Sequence, residues 1–271
     1  MLKQRVMTAL VLVAAILWLL FAASEQAWRW SFLAVAAVGA WEWAAFAGRK
    51  LLQERLAFII VVEVALYFVL NASHDIQQII LYSAIPLLFV VMTIVVLYQK
   101  REGQAVVTHS GLVLLLGLWT LVVFTLSMVT LRHLLTPSEI LLSMLSIWAI
   151  DTGAYFAGRQ FGKTKLAVYV SPGKTWEGVV GGGLLSFGVV MIGGMSVVEP
   201  LKISPVTFAL LATLIALLSV FGDLFQSVLK RQAGLKDSGK ILPGHGGILD
   251  RIDSLLIAMP LFTLLWMGSL Q

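Results

Sequence analysis

The run Val6–Ala23, VMTALVLVAAILWLLFAA, carries no charge over its whole length, and its identity decides how the rest of the chain is arranged. Behind MLKQR and ahead of Ser24 it has the basic start, apolar middle and Ala-Ala-Ser end of a secretory signal. About 18 apolar residues exceed the 7–15 usual for such a signal, and more apolar runs follow it. The stretch is therefore expected to remain as a first, uncleaved helix.

Composition points the same way. The chain of 271 residues is 59% hydrophobic and 12% charged, with a mean hydropathy of +0.95, whereas soluble domains carry roughly 25% charged residues. At about 20 residues per span there is room for about nine spans and short loops. Apolar runs fall near 6–23, 29–47, 56–71, 77–98, 106–130, 138–157, 178–197, 205–222 and 252–269. The expected architecture is an all-α polytopic membrane protein of about nine transmembrane helices, one integral membrane domain over 1–271. The absence of cysteine excludes disulfides, thiolate metal sites and cysteine nucleophiles.

Basic residues test the span count independently, because Lys and Arg collect on the cytoplasmic side. One set of alternate segments holds Lys3 and Arg5; Arg49, Lys50 and Arg55; Lys100 and Arg101; Arg159, Lys163, Lys165 and Lys174; and Lys230, Arg231, Lys236, Lys240 and Arg251. The other set holds Arg29, Arg132 and Lys202. This division places the N-terminus in the cytoplasm and the C-terminus outside. It also assigns the net charge of +5 to membrane topology rather than to nucleic-acid binding.

The polar residues gather in two loops on that cytoplasmic face. In Ile147–Gly178, IWAIDTGAYFAGRQFGKTKLAVYVSPGKTWEG, Asp151 stands roughly 9 Å inside the membrane boundary at 1.5 Å per residue, where a carboxylate needs a partner or a cation. Gly173-Lys-Thr175 is not a P-loop, because the first glycine of that pattern is replaced by Val168. In Gly222–Asp253, GDLFQSVLKRQAGLKDSGKILPGHGGILDRID, a continued helix would set Asp223, Ser227 and Lys230/Arg231 on one face. Asp250 and Asp253 share a face of the next span. Carboxylates from three spans then meet at one cytoplasmic mouth, where oxygen-only ligands suit Mg²⁺ completed by substrate phosphates. Lys230, Arg231, Lys236, Lys240 and Arg251 supply a matching anion clamp. Together they point to phosphoryl or nucleotidyl transfer.

Ser227-Val-Leu-Lys-Arg231, Lys236-Asp237, Pro243-Gly-His-Gly-Gly247 and Asp250-Arg-Ile-Asp253 resemble the C-terminal signature of the phosphatidate cytidylyltransferases, or CDP-diacylglycerol synthases. Gly222-Asp223, Asp151-Thr152, Ala154-Tyr155, Gly158-Arg159, Phe161-Gly162-Lys163 and Ser171-Pro172, Lys174-Thr175, Glu177-Gly178 extend the resemblance across the C-terminal half. Where many members have a second lysine, this chain has Gly173, one positive charge fewer. The resemblance implies formation of CDP-diacylglycerol and pyrophosphate from CTP and phosphatidate, with Mg²⁺ alone or with a second cation. It also implies a homodimer among membrane lipids in a bacterial-type cytoplasmic (inner) membrane.

On this reading 1–137 is an N-terminal helical bundle and 138–271 the catalytic half. Asp223, Asp250, Asp253 and Asp151 are expected to hold metal. Lys230, Arg231, Lys236, Asp237, His245 and Arg251 are expected to act on the reacting phosphates. Ser171, Lys174, Thr175, Arg159, Gly246 and Gly247 are expected to bind substrate. His245 reads as a phosphate donor or loop organiser rather than a nucleophile. Glu42, one turn from the cytoplasmic end of its span, is within reach of the same cavity, whereas Glu63 reads as a bundle or dimer contact. The tryptophans read as interfacial anchors. A CDP-alcohol phosphotransferase is disfavoured because its D-x-x-D-G run is absent, and an ion transporter because no inverted repeat is present.

Overall fold

The computed structural model describes residues 2–197 and 201–270; the side chains of Lys3 and Arg5 lie outside the described residues. The chain runs α1 (Leu2–Phe21), α2 (Glu25–Phe46), α3 (Leu52–Leu70), α4 (His74–Tyr82), α5 (Ala84–Lys100), α6 (Ser110–Leu134) and α7 (Pro137–Phe161). It continues through β1 (Lys165–Ala167), β2 (Ser171–Thr175), α8 (Trp176–Val197), α9 (Pro205–Gln232), α10 (Leu249–Ile252) and α11 (Leu255–Leu270). Each expected apolar run falls on helix. Among the described residues, five helical segments are long and apolar enough to cross a membrane: His74–Lys100, Ser110–Leu134, Pro137–Phe161, Trp176–Met195 and Pro205–Gln232. Val6–Phe21 and Leu255–Leu270 are shorter apolar helices. The molecule is thus a predominantly helical, multi-pass membrane protein.

Helix ends follow local chemistry. Thr136 caps α7 by accepting from the Glu139 amide while the Glu139 carboxylate returns to the Thr136 amide, with Pro137 filling the first helical position. At α9 Ser204 likewise accepts from the Thr207 amide and Pro205 fills the first helical position, without the reciprocal carboxylate bond. The continued helix expected past the apolar run that ends near residue 222 is present: α9 runs on to Gln232 and carries Asp223, Ser227, Lys230 and Arg231 beyond its apolar part.

Two expectations need correction. The fold is not wholly α-helical: Lys165–Thr175 forms a two-stranded antiparallel hairpin with Lys165 opposite Thr175 and Ala167 opposite Ser171. Nor are all the tryptophans interfacial. Trp28, Trp43 and Trp266 are buried and donate to Met128 O, Val113 O and Ser143 Oγ at 2.8, 2.8 and 2.9 Å. Inside an apolar bundle an indole N–H must find an acceptor, and these three bind neighbouring helices together.

The most extensive helix pair is α7 with α8, and glycine makes it possible. A Cβ on Gly153 would stand 2.8 Å from Gly181 O, and one on Gly178 would stand 2.8 Å from Ala154 O. Backbone therefore packs on backbone, as membrane helices do where small residues meet. This crossing fixes the hairpin, which leads into α8, against the end of α7 that carries Asp151. On the other side α9 packs against α8, α11 and α5, and α2 packs against α3 and α6.

Gly153→Ala should lower the melting temperature of the detergent-solubilised protein, a cost of about 1–3 kcal/mol for forcing apart a tight interface. Gly188→Ala, with nothing within 4 Å of the added carbon, should melt like the parent. Differential scanning fluorimetry on the two variants checks the pair.

Candidate active site

Four elements converge on a cluster of charge. Lys174 on β2 forms an ion pair with Asp223 Oδ2 on α9, and Ser227, one turn along, places its hydroxyl 3.5 Å from Asp223 Oδ1. Asp151 on α7 interacts electrostatically with both Lys174 and Asp223. Asp253, at the junction of α10 and α11, interacts with Asp223, Lys230 and Lys174. Gly222 permits this approach, because a Cβ there would run into the Asp253 carbonyl. Asp151, Asp223 and Asp253, from three parts of the chain, thus share one electrostatic neighbourhood with the Lys174 ammonium.

Asp250 belongs to a second cluster. Its Oδ1 accepts from Lys230 Nζ at 2.6 Å, and its Oδ2 accepts from the Ser238 amide at 2.8 Å and the Gly247 amide at 3.0 Å, with the Ser238 Oγ 3.0 Å away. Burial acts to raise the Asp250 pKa, but the Lys230 bond, the two amides and the Lys230 charge outweigh it and hold it below the ordinary aspartate value. A depressed carboxylate pKa contributes stability above that range and loses it on acidification. The Lys230–Asp250 pair is thus intact at neutral pH. It lies between the acid cluster and the loop, with side-chain exposures of only 13% and 5%.

Glu42 closes the same loop from the N-terminal half. Fully buried on α2, it accepts from the Ser238 hydroxyl at 2.7 Å, the Ile248 amide at 3.0 Å and the Leu249 amide at 2.9 Å. Ser238 was not singled out by the sequence; a hydroxyl beside Lys236-Asp237 gives no periodic signal of its own.

The segment 236–251 lines an open polar cleft of about 610 Å³ to which Lys236, Asp237, Lys240, His245, Gly246 and Arg251 contribute. Its tight turn joins Leu242 N to Gly246 O and His245 N to Leu242 O, both at 2.9 Å. Gly244 and Gly246 have φ of 76° and 83°, the left-handed region in which glycine is favoured. The His245 Nδ1 is buried with no hydrogen-bond partner, an unpaired polar atom of a residue that lines the cleft. On the outer side, Thr8 of α1 donates to the Pro243 carbonyl at 3.0 Å.

Other expected site residues are placed differently. Thr175 is buried, and its hydroxyl accepts from the Gly178 amide at 3.2 Å, which caps α8. Glu177 accepts from the Thr164 amide at 3.0 and 3.2 Å and closes the hairpin. Arg159 is exposed and donates to Tyr155 at 3.2 Å; Arg231 is also exposed, and Ser171 is half-buried. Gly173 is open, with nothing within 4 Å of an added Cβ, so a longer side chain would fit there. Among the described residues no three acids or histidines converge closely enough to hold one ion by themselves. Carboxylates are the ligand type that a hard cation takes, so Asp151, Asp223 and Asp253 would need ligand oxygens to complete such a site.

Fold and site together define a class: multi-pass helical membrane proteins whose acids, lysines and glycine turn gather where the long helices end. Residues 3–267 match the cytidylyltransferase family, and the chain belongs to it. A phosphatidate cytidylyltransferase of Haemophilus influenzae is 36% identical over 97% of this chain and 98% of its own length. The phosphatidate cytidylyltransferase of Pseudomonas aeruginosa is 39% identical over 98% and 97%. That of Bacillus subtilis is 51% identical over 42% of each chain.

Lys230→Met should cost about 3 kcal/mol of stability, because it leaves the buried Asp250 carboxylate without its counter-charge. Adding Asp250→Asn, whose amide can face the vacated side while its oxygen keeps the loop amides, should recover most of that loss. Chemical denaturation of the single and double variants reads the difference.

Proposed function

We propose that this protein is a phosphatidate cytidylyltransferase, joining CTP and phosphatidate to give CDP-diacylglycerol and pyrophosphate. The observation that carries the reading is the pairing of lysines with acids, Lys174 with Asp223 and Lys230 with Asp250, beside the basic cavity of residues 236–251. Relatives of that name over the full length of both chains support it.

The phosphatidate phosphate is anionic near neutral pH, so it attacks the α-phosphorus of CTP without a general base. One phosphatidate oxygen bonds to that phosphorus as the bridge between the α- and β-phosphates breaks, and pyrophosphate leaves with the electron pair. The protein's task is to overcome repulsion between two polyanions. Lys236, Lys240, His245 and Arg251 line the cavity that would take the CTP polyphosphate. Lys174 and Lys230 would neutralise the phosphates that meet between the clusters, with Asp250 holding Lys230 in place.

Asp223, Asp253 and Asp151 would hold Mg²⁺ with phosphate oxygens completing its shell, and the ion would supply charge stabilisation on the transferring group. Asp250 would join this set only by exchanging a donor it already has. Arg231, Arg159, Ser171 and Asp237 would contribute at the edges of the site, and Gly247 at the turn. Nine spans with a cytoplasmic N-terminus, an active site at the cytoplasmic boundary, a homodimeric assembly and residence in a bacterial inner membrane complete the proposal.

Purified protein in mixed micelles with labelled CTP, phosphatidate and Mg²⁺ should release pyrophosphate and form CDP-diacylglycerol, and excess chelator should stop it. Absence of product defeats the reading. Asp223→Asn should lower turnover by at least roughly a hundredfold, the scale of losing a charge partner at the reacting group; full activity in that variant removes the metal assignment.

A further inference from the structure

We infer that Glu42 is a positioning residue for the site, acting through Ser238 and Asp250 on the Lys230 ammonium. The inference rests on the reading of Lys230 as a phosphate-neutralising group. Glu42 lies in α2, in the half of the chain that contributes none of the other charges in the two clusters.

The connection is continuous. The Glu42 carboxylate meets the Ser238 hydroxyl at 2.7 Å, and that hydroxyl also lies 3.0 Å from Asp250 Oδ2. The other oxygen of the same Asp250 carboxylate takes Lys230 at 2.6 Å. Glu42 also takes the amides of Ile248 and Leu249, the residues immediately before Asp250, so it orients the backbone that carries Asp250 as well as the hydroxyl beside it. The space is made for this carboxylate: a Cβ on Gly239 or on Gly247 would collide with Glu42. Those two glycines therefore serve the approach of a side chain from α2, in addition to any freedom they give the loop.

A carboxylate with three donors has a defined position, and each oxygen it fixes limits the next group. Without Glu42 two loop amides lose their acceptor, Ser238 is left with Asp250 alone, and the angle at which Asp250 presents Oδ1 to Lys230 is no longer set. A lysine has three donors on a four-carbon stem, so its location depends on the partner that holds it.

Lysine reactivity reads this directly. Wild-type protein, Glu42→Gln and Ser238→Ala are treated with an amine-reactive reagent, and modification of Lys230 is followed by mass spectrometry relative to exposed Lys50. Both variants should raise Lys230 labelling about tenfold, the equivalent of losing one hydrogen bond to a charged group, with the Lys174 to Lys50 ratio unchanged. Ser238→Ala keeps the Glu42 amide bonds, so it tests the link even where Glu42→Gln folds poorly. Lys230 labelling at the wild-type level in Ser238→Ala, or an equal rise at Lys174, overturns the inference. The same preparations are assayed for CDP-diacylglycerol: wild-type protein without product defeats the functional reading while labelling still decides the positioning one. With active wild type, both variants should lose about tenfold in turnover.

Discussion

A carboxylate at the end of an apolar bundle cannot stand alone, and this single constraint arranges the protein. Buried or half-buried acids near the ends of α2, α9 and α10 are met by donors: Asp223 by Lys174, Asp250 by Lys230 and two amides, Glu42 by a hydroxyl and two amides. Water is scarce in such a place and unpaired charge costs several kcal/mol. The acids therefore draw in loops that would otherwise lie loose above the membrane. The hairpin is fixed through Lys174, and the segment between α9 and α11 is fixed through Asp250 and Glu42.

That arrangement is also what makes the site chemically apt. Ammonium groups held by carboxylates are in place before an anionic ligand arrives, and exchange of one partner for another leaves the total charge of the pocket close to balanced. Close helix crossings supply the geometry. Gly222 lets Asp253 lie against α9, and the glycines of α7 and α8 set Asp151 beside the hairpin. Rigid helices aim the side chains, while the turn at Gly244 and Gly246 gives the loop a tight shape of its own.

Much of this is legible in the residues. Hydropathy finds every long helix because the apolar runs are long and the interruptions charged, and the run from Asp223 to Arg231 announces a polar continuation of α9 by its helical spacing. What is not legible is pairing across distance. Asp250 and Asp223 look like partners because both carry a charge at the same depth, yet Asp250 turns to Lys230 and Ser238. Thr175 looks like a ligand-binding hydroxyl and caps a helix instead. The tryptophans look interfacial by type, but the acceptors of Trp28, Trp43 and Trp266 come from other helices. The hairpin escapes because a short alternating run beside long apolar ones has the same hydropathy as a loop near a membrane.

The bond from Glu42 to Ile248 closes over 206 residues, and this sets an order of assembly. A ribosome delivers α2 early and the loop last, so for nearly the whole of synthesis the acid in α2 lacks the donors it ends with. Contacts of such separation form late because the chain between them must already be ordered. The early helices are thus inserted with an unfinished junction at their polar end, and the final loop completes it only when α9 and α11 are in place. Chains that stop short of residue 248 retain most of their apolar helices but leave the Glu42 carboxylate without the two loop amides that it takes in the complete fold.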